Sequence, residues 1–277
     1  MEANLQDKYY KLRELMGEMG TVLVAFSGGT DSTLVLSVAR EALGNNVLAA
    51  TVKSPLQPGE LMKSARVMAL RLRARHVVIE NDELANESFV SNPPERCYLC
   101  KHGRFQQLIE LANVEGLDEV ADGAQLDDLG EYRPGTQAAE ELGVRSPLLE
   151  CGFSKFEVRA LSRELGLSTW NLSASPCLAT RMPYGQKITR EKVSVIEGGE
   201  VFLRELGMRQ VRLRYIDDNV ARIEVAENSI PALTADGTRQ RVIDKLRSLG
   251  FNYVTVDLAG YRPGSMDETL EEARRPR

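Results

Sequence analysis

The feature that most narrows what this chain can fold into is a junction near its N-terminus. Residues 21–26 (TVLVAF) are a short apolar run rich in β-branched side chains, Ser27-Gly28-Gly29-Thr30-Asp31-Ser32 follows at once, and STLVLSVAREAL continues with apolar residues at helical spacing. That order is strand, tight loop, helix. The alternation recurs: residues 46–54 read as a strand, 58–74 as a helix, 76–80 as a strand, 99–111 as a helix and 119–123 as a strand, with helices near 136–142 and 155–165. Strands separated by helices predict an α/β fold in which a parallel sheet carries helices on both faces.

The composition changes near Pro183, where MPYGQKIT reads as a linker, so residues 1–186 and 187–277 are expected to form two domains. The second is smaller and α+β. VSVIEGGEVFLREL reads as a helix, VRLRYIDDN and VARIEVA as a hairpin turning at Asp217, Asp218 and Asn219, residues 237–249 as a helix and YVTVD as a strand. The terminal EEARRPR is expected to fray.

A chain of 277 residues with 43% hydrophobic content can bury a core of this size. Its net charge of −5 gives no overall basic field for nucleic acid or an anionic membrane, so local basic clusters must bind any anion. The N-terminal segment is amphipathic and mixed in charge, and no later apolar run is long enough to cross a bilayer, which predicts a cytoplasmic protein. Four cysteines are too few for a disulfide scaffold, whereas Cys97 and Cys100 have metal or redox spacing.

In the SGGTDS loop, glycines let backbone N–H groups close around an anion and the following helix adds positive potential, as a pyrophosphate cradle requires. The loop lacks the Gly-Lys-Ser/Thr ending of a P-loop and the three glycines of a dinucleotide fingerprint. The bland alternative is a turn at Gly28 and Gly29 with Asp31 and Ser32 capping the helix. SGGTDS resembles the signature of the PP-loop ATP pyrophosphatases, which include GMP synthetase, NAD synthetase, argininosuccinate synthetase and several tRNA-thiolating enzymes. The resemblance implies cleavage of ATP between the α and β phosphates, adenylation of a substrate oxygen, and Mg2+ balancing the triphosphate. ADGAQLDDLGEYRPG resembles the stretch that lines the nucleotide and substrate cleft in those enzymes, which adds Gly123 and Asp128 to the expected ATP site. Asp122, Asp127 and Asp128 are either magnesium ligands or solvated loop acids.

Three further segments, SPCLATRMPYG around Cys177, VRLRY with ARIEV around Arg212 and Arg214, and DLAGYRPGSMDE around Arg262, resemble LarE, the pyridinium-3,5-biscarboxylic acid mononucleotide sulfurtransferases of nickel-pincer nucleotide biosynthesis. The likeness covers nearly the whole chain. It implies that ATP adenylates a ring carboxylate, that sulfur displaces AMP to give a thiocarboxylate, and that the second carboxylate is treated likewise. It assigns the sulfur-bearing role to Cys177, against the alternative of a small core residue, and Arg181 is a candidate to lower its pKa. Arg212 and Arg214 lie two apart on a strand and so share one face, as binding the substrate phosphate requires. By resemblance Arg262 joins them, with Glu200 and Glu224 in the same region; the alternative is an ordinary charged strand face.

The best-known LarE type spends a single cysteine and leaves dehydroalanine. PPERCYLCKHGRF adds Cys97 and Cys100, and with Cys177 these would supply three thiolates to a 4Fe-4S cluster with one open iron, the arrangement of cluster-bearing LarE homologues. Zinc is the competing metal, with His102 as a fourth donor. Cys151 reads as structural. Lys101 is either a phosphate contact or a solvated lysine. The resemblance further implies a mononucleotide substrate, a sulfur donor and a homo-oligomer, specifically a hexamer. A tRNA-thiolating enzyme would need a basic surface that the acidic balance argues against. A nucleotide- or metal-sensing module would release no pyrophosphate. An amidating synthetase would need an ammonia route, for which His76 and His102 offer no nucleophile–histidine pair.

Overall fold

A computed structural model describes residues 3–129, 134–173 and 176–266. Its elements run α1 (Ala3–Glu18), β1 (Val22–Ala25), α2 (Thr30–Leu43), β2 (Val47–Lys53), α3 (Gly59–Arg71), β3 (Arg75–Glu80), α4 (Glu87–Val90), α5 (Arg96–Glu115), β4 (Glu119–Ala121), α6 (Pro134–Glu141), α7 (Pro147–Glu150) and α8 (Lys155–Glu164). They continue with α9 (Arg190–Glu205), β5 (Val211–Ile216), β6 (Val220–Val225), α10 (Ile230–Thr234), α11 (Asp236–Ser248) and β7 (Tyr253–Val256). The chain divides into two units, Met1–Glu83 with Pro94–Ser175, and Leu84–Pro93 with Pro176–Arg277.

The first unit is a parallel sheet in the order β3-β2-β1-β4, with Leu23 of β1 level with Leu48 of β2 and Val120 of β4. Alternate side chains of a strand point to opposite faces, and the core divides accordingly. Val22 and Val24 pack with Leu12 and Met16 of α1, Leu34 and Val38 of α2 and Leu161 of α8. Leu23 and Leu48 pack on the other face with Phe105, Leu108 and Ala112 of α5. A four-residue strand buried on both sides explains why TVLVAF is continuously apolar rather than alternating. The fold is the α/β fold of PP-loop proteins, with helices on both faces of the sheet. Among the described residues no helix is long and apolar enough to cross a membrane.

The second unit holds a three-stranded sheet in the order β5-β6-β7, antiparallel between β5 and β6 and parallel between β6 and β7. The hairpin turns at Asp217–Asn219, where Asp218 and Asn219 take positive φ values of 61° and 59°, a region that short polar side chains tolerate. Two strands in the same direction need a crossover, which α10 and α11 supply. Leu203 of α9, Leu213, Ile223 and Leu246 form its centre.

Two expectations are adjusted here. MPYGQKIT is held rather than free: the Asn92 side-chain amide donates to the Pro183 carbonyl at 2.7 Å, and Gly185 and Ile188 N–H groups donate to the carbonyls of Asn92 and Val90. Contacts therefore draw the division at 175/176, with 84–93 joining the second unit, instead of at 186/187. The helix expected over 99–111 begins at Arg96, so Cys97 and Cys100 lie inside its first turns. The stretch EEARRPR, and parts of the YRPG and SPC motifs, lie outside the described residues.

Candidate active site

At the C-terminal end of β1 the chain enters the SGGTDS loop, the crevice where α/β sheets accept ligands. Gly28 has φ +75°, and a Cβ there would stand 2.5 Å from the main-chain nitrogen of Ala65. Only glycine fits. Gly29 is the N-cap of α2, and the first N–H groups of that helix have no partner within it. Ser27 and Ser32 hydroxyls meet at 3.0 Å, the Gly28 carbonyl accepts from Ser64 at 3.0 Å, and buried Thr30 donates to the Thr169 carbonyl at 2.7 Å. The loop is thus braced from three sides. Asp31 is paired through both oxygens with the ammonium of Lys155, at 2.6 and 2.5 Å.

The end of β4 comes against the same loop. A Cβ on Gly123 would lie 2.9 Å from the Ser32 nitrogen, so this glycine too is required by close approach. Asp122 is buried and accepts from Ala124 N–H at 3.0 Å and Ser146 Oγ at 2.8 Å, with Lys101 Nζ at 3.9 Å. Lys101 in turn lies along Gly135, where a Cβ would meet its Cδ at 2.5 Å. The three acids near the turn do not form a metal group. Asp127 accepts from Lys155 N–H at 2.5 Å and Asp128 from Gln125 N–H at 3.0 Å, so each carboxylate is used on main-chain N–H groups of its own surroundings. Among the described residues no three His, Cys, Asp or Glu side chains group as metal ligands.

Cys97 is exposed and Cys100 half-buried, one turn apart on one face of α5. Cys100 Sγ lies 3.6 Å from Glu83 Oε1, and Glu83 also receives Arg104 Nε at 2.7 Å and Ser54 Oγ at 2.6 Å. Burial pushes the Glu83 carboxyl up, but Arg104 and the Ser54 hydroxyl outweigh it and hold it below the usual carboxylate range. His102 sits against the ring of Tyr98. Cys151 packs on the core and burial raises its thiol, which agrees with a structural role.

In the second unit Cys177 is half-buried, outside any disulfide, and precedes a 3-10 turn, Leu178–Arg181. Its carbonyl accepts from Thr180 N–H at 3.0 Å, Thr180 Oγ1 at 2.7 Å and Arg181 Nη1 at 3.4 Å. Arg181 is 1% exposed and Glu200 fully buried. Their fork, Nε to Oε1 at 2.6 Å and Nη2 to Oε2 at 3.2 Å, ties the cysteine turn to α9. Glu200 also accepts from Arg204 at 2.7 Å and from Leu213 N–H at 3.1 Å. Arg181 therefore pairs with a carboxylate and holds the turn's carbonyls.

Arg212 and Arg214 are 8% and 5% exposed, not members of a charged surface face. Arg214 donates to Glu224 Oε2 at 2.6 Å, Ser265 Oγ at 3.0 Å and the Thr180 carbonyl at 2.9 Å. Arg212 lies over the Tyr261 ring at 5.0 Å and donates to the Val211 carbonyl. Its pKa is lowered, by burial first and then by the Arg181 charge, with Glu200 working the other way. Arg262 is partly exposed and 3.8 Å from Asp257. Residue spacing gave no sign of Lys155, Arg222 or Ser265; Arg222 meets Glu224 at 3.1 Å.

No protein-family model matches the chain. It is 42% identical over 266 residues to an uncharacterized protein of Synechocystis sp., covering 96% of this chain and 99% of that one. It is 39% identical over 273 residues to the pyridinium-3,5-bisthiocarboxylic acid mononucleotide synthase of Lactiplantibacillus plantarum, covering 98% of each. It is 27% identical over 187 residues to the tRNA-specific 2-thiouridylase MnmA of Rickettsia prowazekii, over 54% of this chain and 52% of that one.

Two substitutions test this geometry. Gly28→Ala must push Cβ into main-chain atoms of Ala65, and should cost more than about 1 kcal/mol of stability in chemical denaturation. Glu200→Ala leaves Arg181 buried without its carboxylate and should cost about 3–5 kcal/mol in chemical denaturation, whereas Glu200→Gln should cost less.

Proposed function

Because the chain belongs to the LarE family, that of the pyridinium-3,5-bisthiocarboxylic acid mononucleotide synthase, we propose that it is an ATP-dependent sulfurtransferase acting on pyridinium-3,5-biscarboxylic acid mononucleotide in nickel-pincer nucleotide biosynthesis. The observation that carries this reading is the SGGTDS loop, which Gly28 packs against the backbone of Ala65 and Gly123 meets at the Ser32 nitrogen, with the first N–H groups of α2 left without partners inside the helix. A carboxylate is a poor electrophile, so its oxygen first attacks the α-phosphorus of ATP and pyrophosphate leaves. A sulfur nucleophile carried at the Cys177 site then attacks the carbonyl carbon, the C–O bond breaks and AMP departs, and cleavage of the bond between that sulfur and its carrier frees the thiocarboxylate. Repetition at the second carboxylate completes the product.

In this reading Ser27 to Ser32, Gly123 and Lys101 hold the polyphosphate, and Asp128 shapes the adjoining turn. Mg2+ is ordinarily held by one or two carboxylates plus phosphate oxygens, and Asp31 is the loop's carboxylate for it; the ion supplies charge neutralisation of the polyphosphate. Arg212 binds the substrate phosphate, with Arg214 ordered beside it by Glu224 and Ser265 and with Arg262 at the margin. Arg181 and Glu200 position the Cys177 turn. Cys97, Cys100 and Cys177 would hold a 4Fe-4S cluster, whose open iron would carry transferable sulfur; the pairing of Cys97 and Cys100 on one helical face supports it. A cytoplasmic homo-oligomer, a hexamer by the family likeness, and an external sulfur donor complete the proposal.

Cys177→Ala should retain substrate-dependent pyrophosphate release and form no thiocarboxylate by mass spectrometry; equal loss of both would reject the division of labour. A tRNA-thiolating activity would instead appear as thionucleoside in tRNA digests. Anaerobic reconstitution should give near four irons and four sulfides per chain, as a 4Fe-4S cluster requires, and Cys97→Ala should lose them. Stoichiometric zinc, or dehydroalanine at Cys177 after turnover without bound iron, would reject the cluster.

A further inference from the structure

The Asp31–Lys155 pair differs from the two buried ion pairs that hold Arg181 and Arg214. Arg181–Glu200 and Arg214–Glu224 are buried, with side chains at most 6% exposed. Lys155 and Asp31 are 35% and 28% exposed, and a pair so open to water contributes little to stability and breaks readily. The backbone of Lys155 is nevertheless fixed. Its N–H donates to Asp127 at 2.5 Å, and it is the first residue of α8 behind a capping box in which Ser154 and Glu157 bond each other reciprocally. Lys8 binds Glu157 at 2.7 Å and the Gly152 carbonyl at 2.6 Å, which ties this helix start to α1. A rigid root thus carries a flexible stem with three rotatable donors. Its ammonium is clamped onto the carboxylate of the loop expected to receive a highly anionic ligand.

We propose that Lys155 is a positioning residue that exchanges partners. In the empty loop it neutralises Asp31; when a polyphosphate enters, the ammonium swings from Asp31 to phosphate oxygens, and Asp31 is released for the cation that accompanies the nucleotide. This rests on the ATP reading above. The reason is electrostatic: polyphosphate beside an uncompensated Asp31 is repelled, whereas a lysine that can move between the two anions offsets whichever lacks a cation. Asp31 and phosphate compete for one ammonium until a divalent ion arrives.

The test is calorimetric binding of ATP and of inorganic pyrophosphate, each with EDTA and with excess Mg2+, to the full chain and to Asp31→Asn, Lys155→Met and the double variant, with thermal melts to confirm folding. Without divalent ion, Asp31→Asn should bind pyrophosphate several-fold more tightly than wild type, because it removes the competing anion and frees Lys155. That gain should vanish in the double variant. Lys155→Met alone should bind metal-free ATP about tenfold more weakly, about 1.4 kcal/mol, with a smaller loss in excess Mg2+. No gain in Asp31→Asn, or an equal gain in the double variant, would overturn the exchange and mark the pair as structural. Failure of wild type to bind ATP under any condition would overturn the ATP reading itself, and the exchange with it.

Discussion

Main-chain N–H groups can grip an anion only where no side chain stands between them and it, and where the loop that carries them cannot collapse. Both requirements fall on a few atoms at the ends of β1 and β4. Gly28 is pressed against the backbone of Ala65, and Gly123 against the start of α2, so the loop is packed against neighbours on the sides where a Cβ would have been. The four-stranded sheet fixes those approaches, because the register of β1 with β2 and β4 sets where each strand ends. Everything attributed to the nucleotide depends on that placement.

The second unit solves a different problem, keeping several guanidinium groups in a dry interior. Desolvating charges costs several kcal/mol each unless they are paired and hydrogen-bonded. Glu200 and Glu224 answer this by accepting from Arg181, Arg204, Arg214 and Arg222 together with the Leu213 N–H and the Ser265 hydroxyl. Such networks are rigid, which suits holding the Cys177 turn and presenting Arg212. Burial lowers the pKa of Arg212, and an anion bound there would recover much of that cost.

Strand-loop-helix order was legible in the first sheet because a parallel strand packed between helices is rich in apolar residues and its helices are amphipathic, and the β5–β6 hairpin was legible from its alternation and the turn residues Asp217, Asp218 and Asn219. Ends were less so: the helix bearing Cys97 starts at Arg96, three residues before the expected start at Leu99. The held segment 183–189 looked like a linker because its partners, Val90 and Asn92, lie some ninety residues earlier and leave no local pattern. Lys155 escaped notice for the same reason, as its bond to Asp31 joins residues 124 positions apart. Arg212 and Arg214 were found by their two-residue spacing, but their burial was not, because alternation gives a shared face and not what covers it.

The central claim is that this loop serves cleavage of ATP between its α and β phosphates for the sake of a carboxylate. The most direct measurement follows ATP labelled in the α-phosphate, incubated with the protein, Mg2+ and pyridinium-3,5-biscarboxylic acid mononucleotide, and resolves the labelled products. The account predicts labelled AMP, with pyrophosphate formed in step and both dependent on the mononucleotide. Labelled ADP, or cleavage indifferent to the mononucleotide, would contradict it.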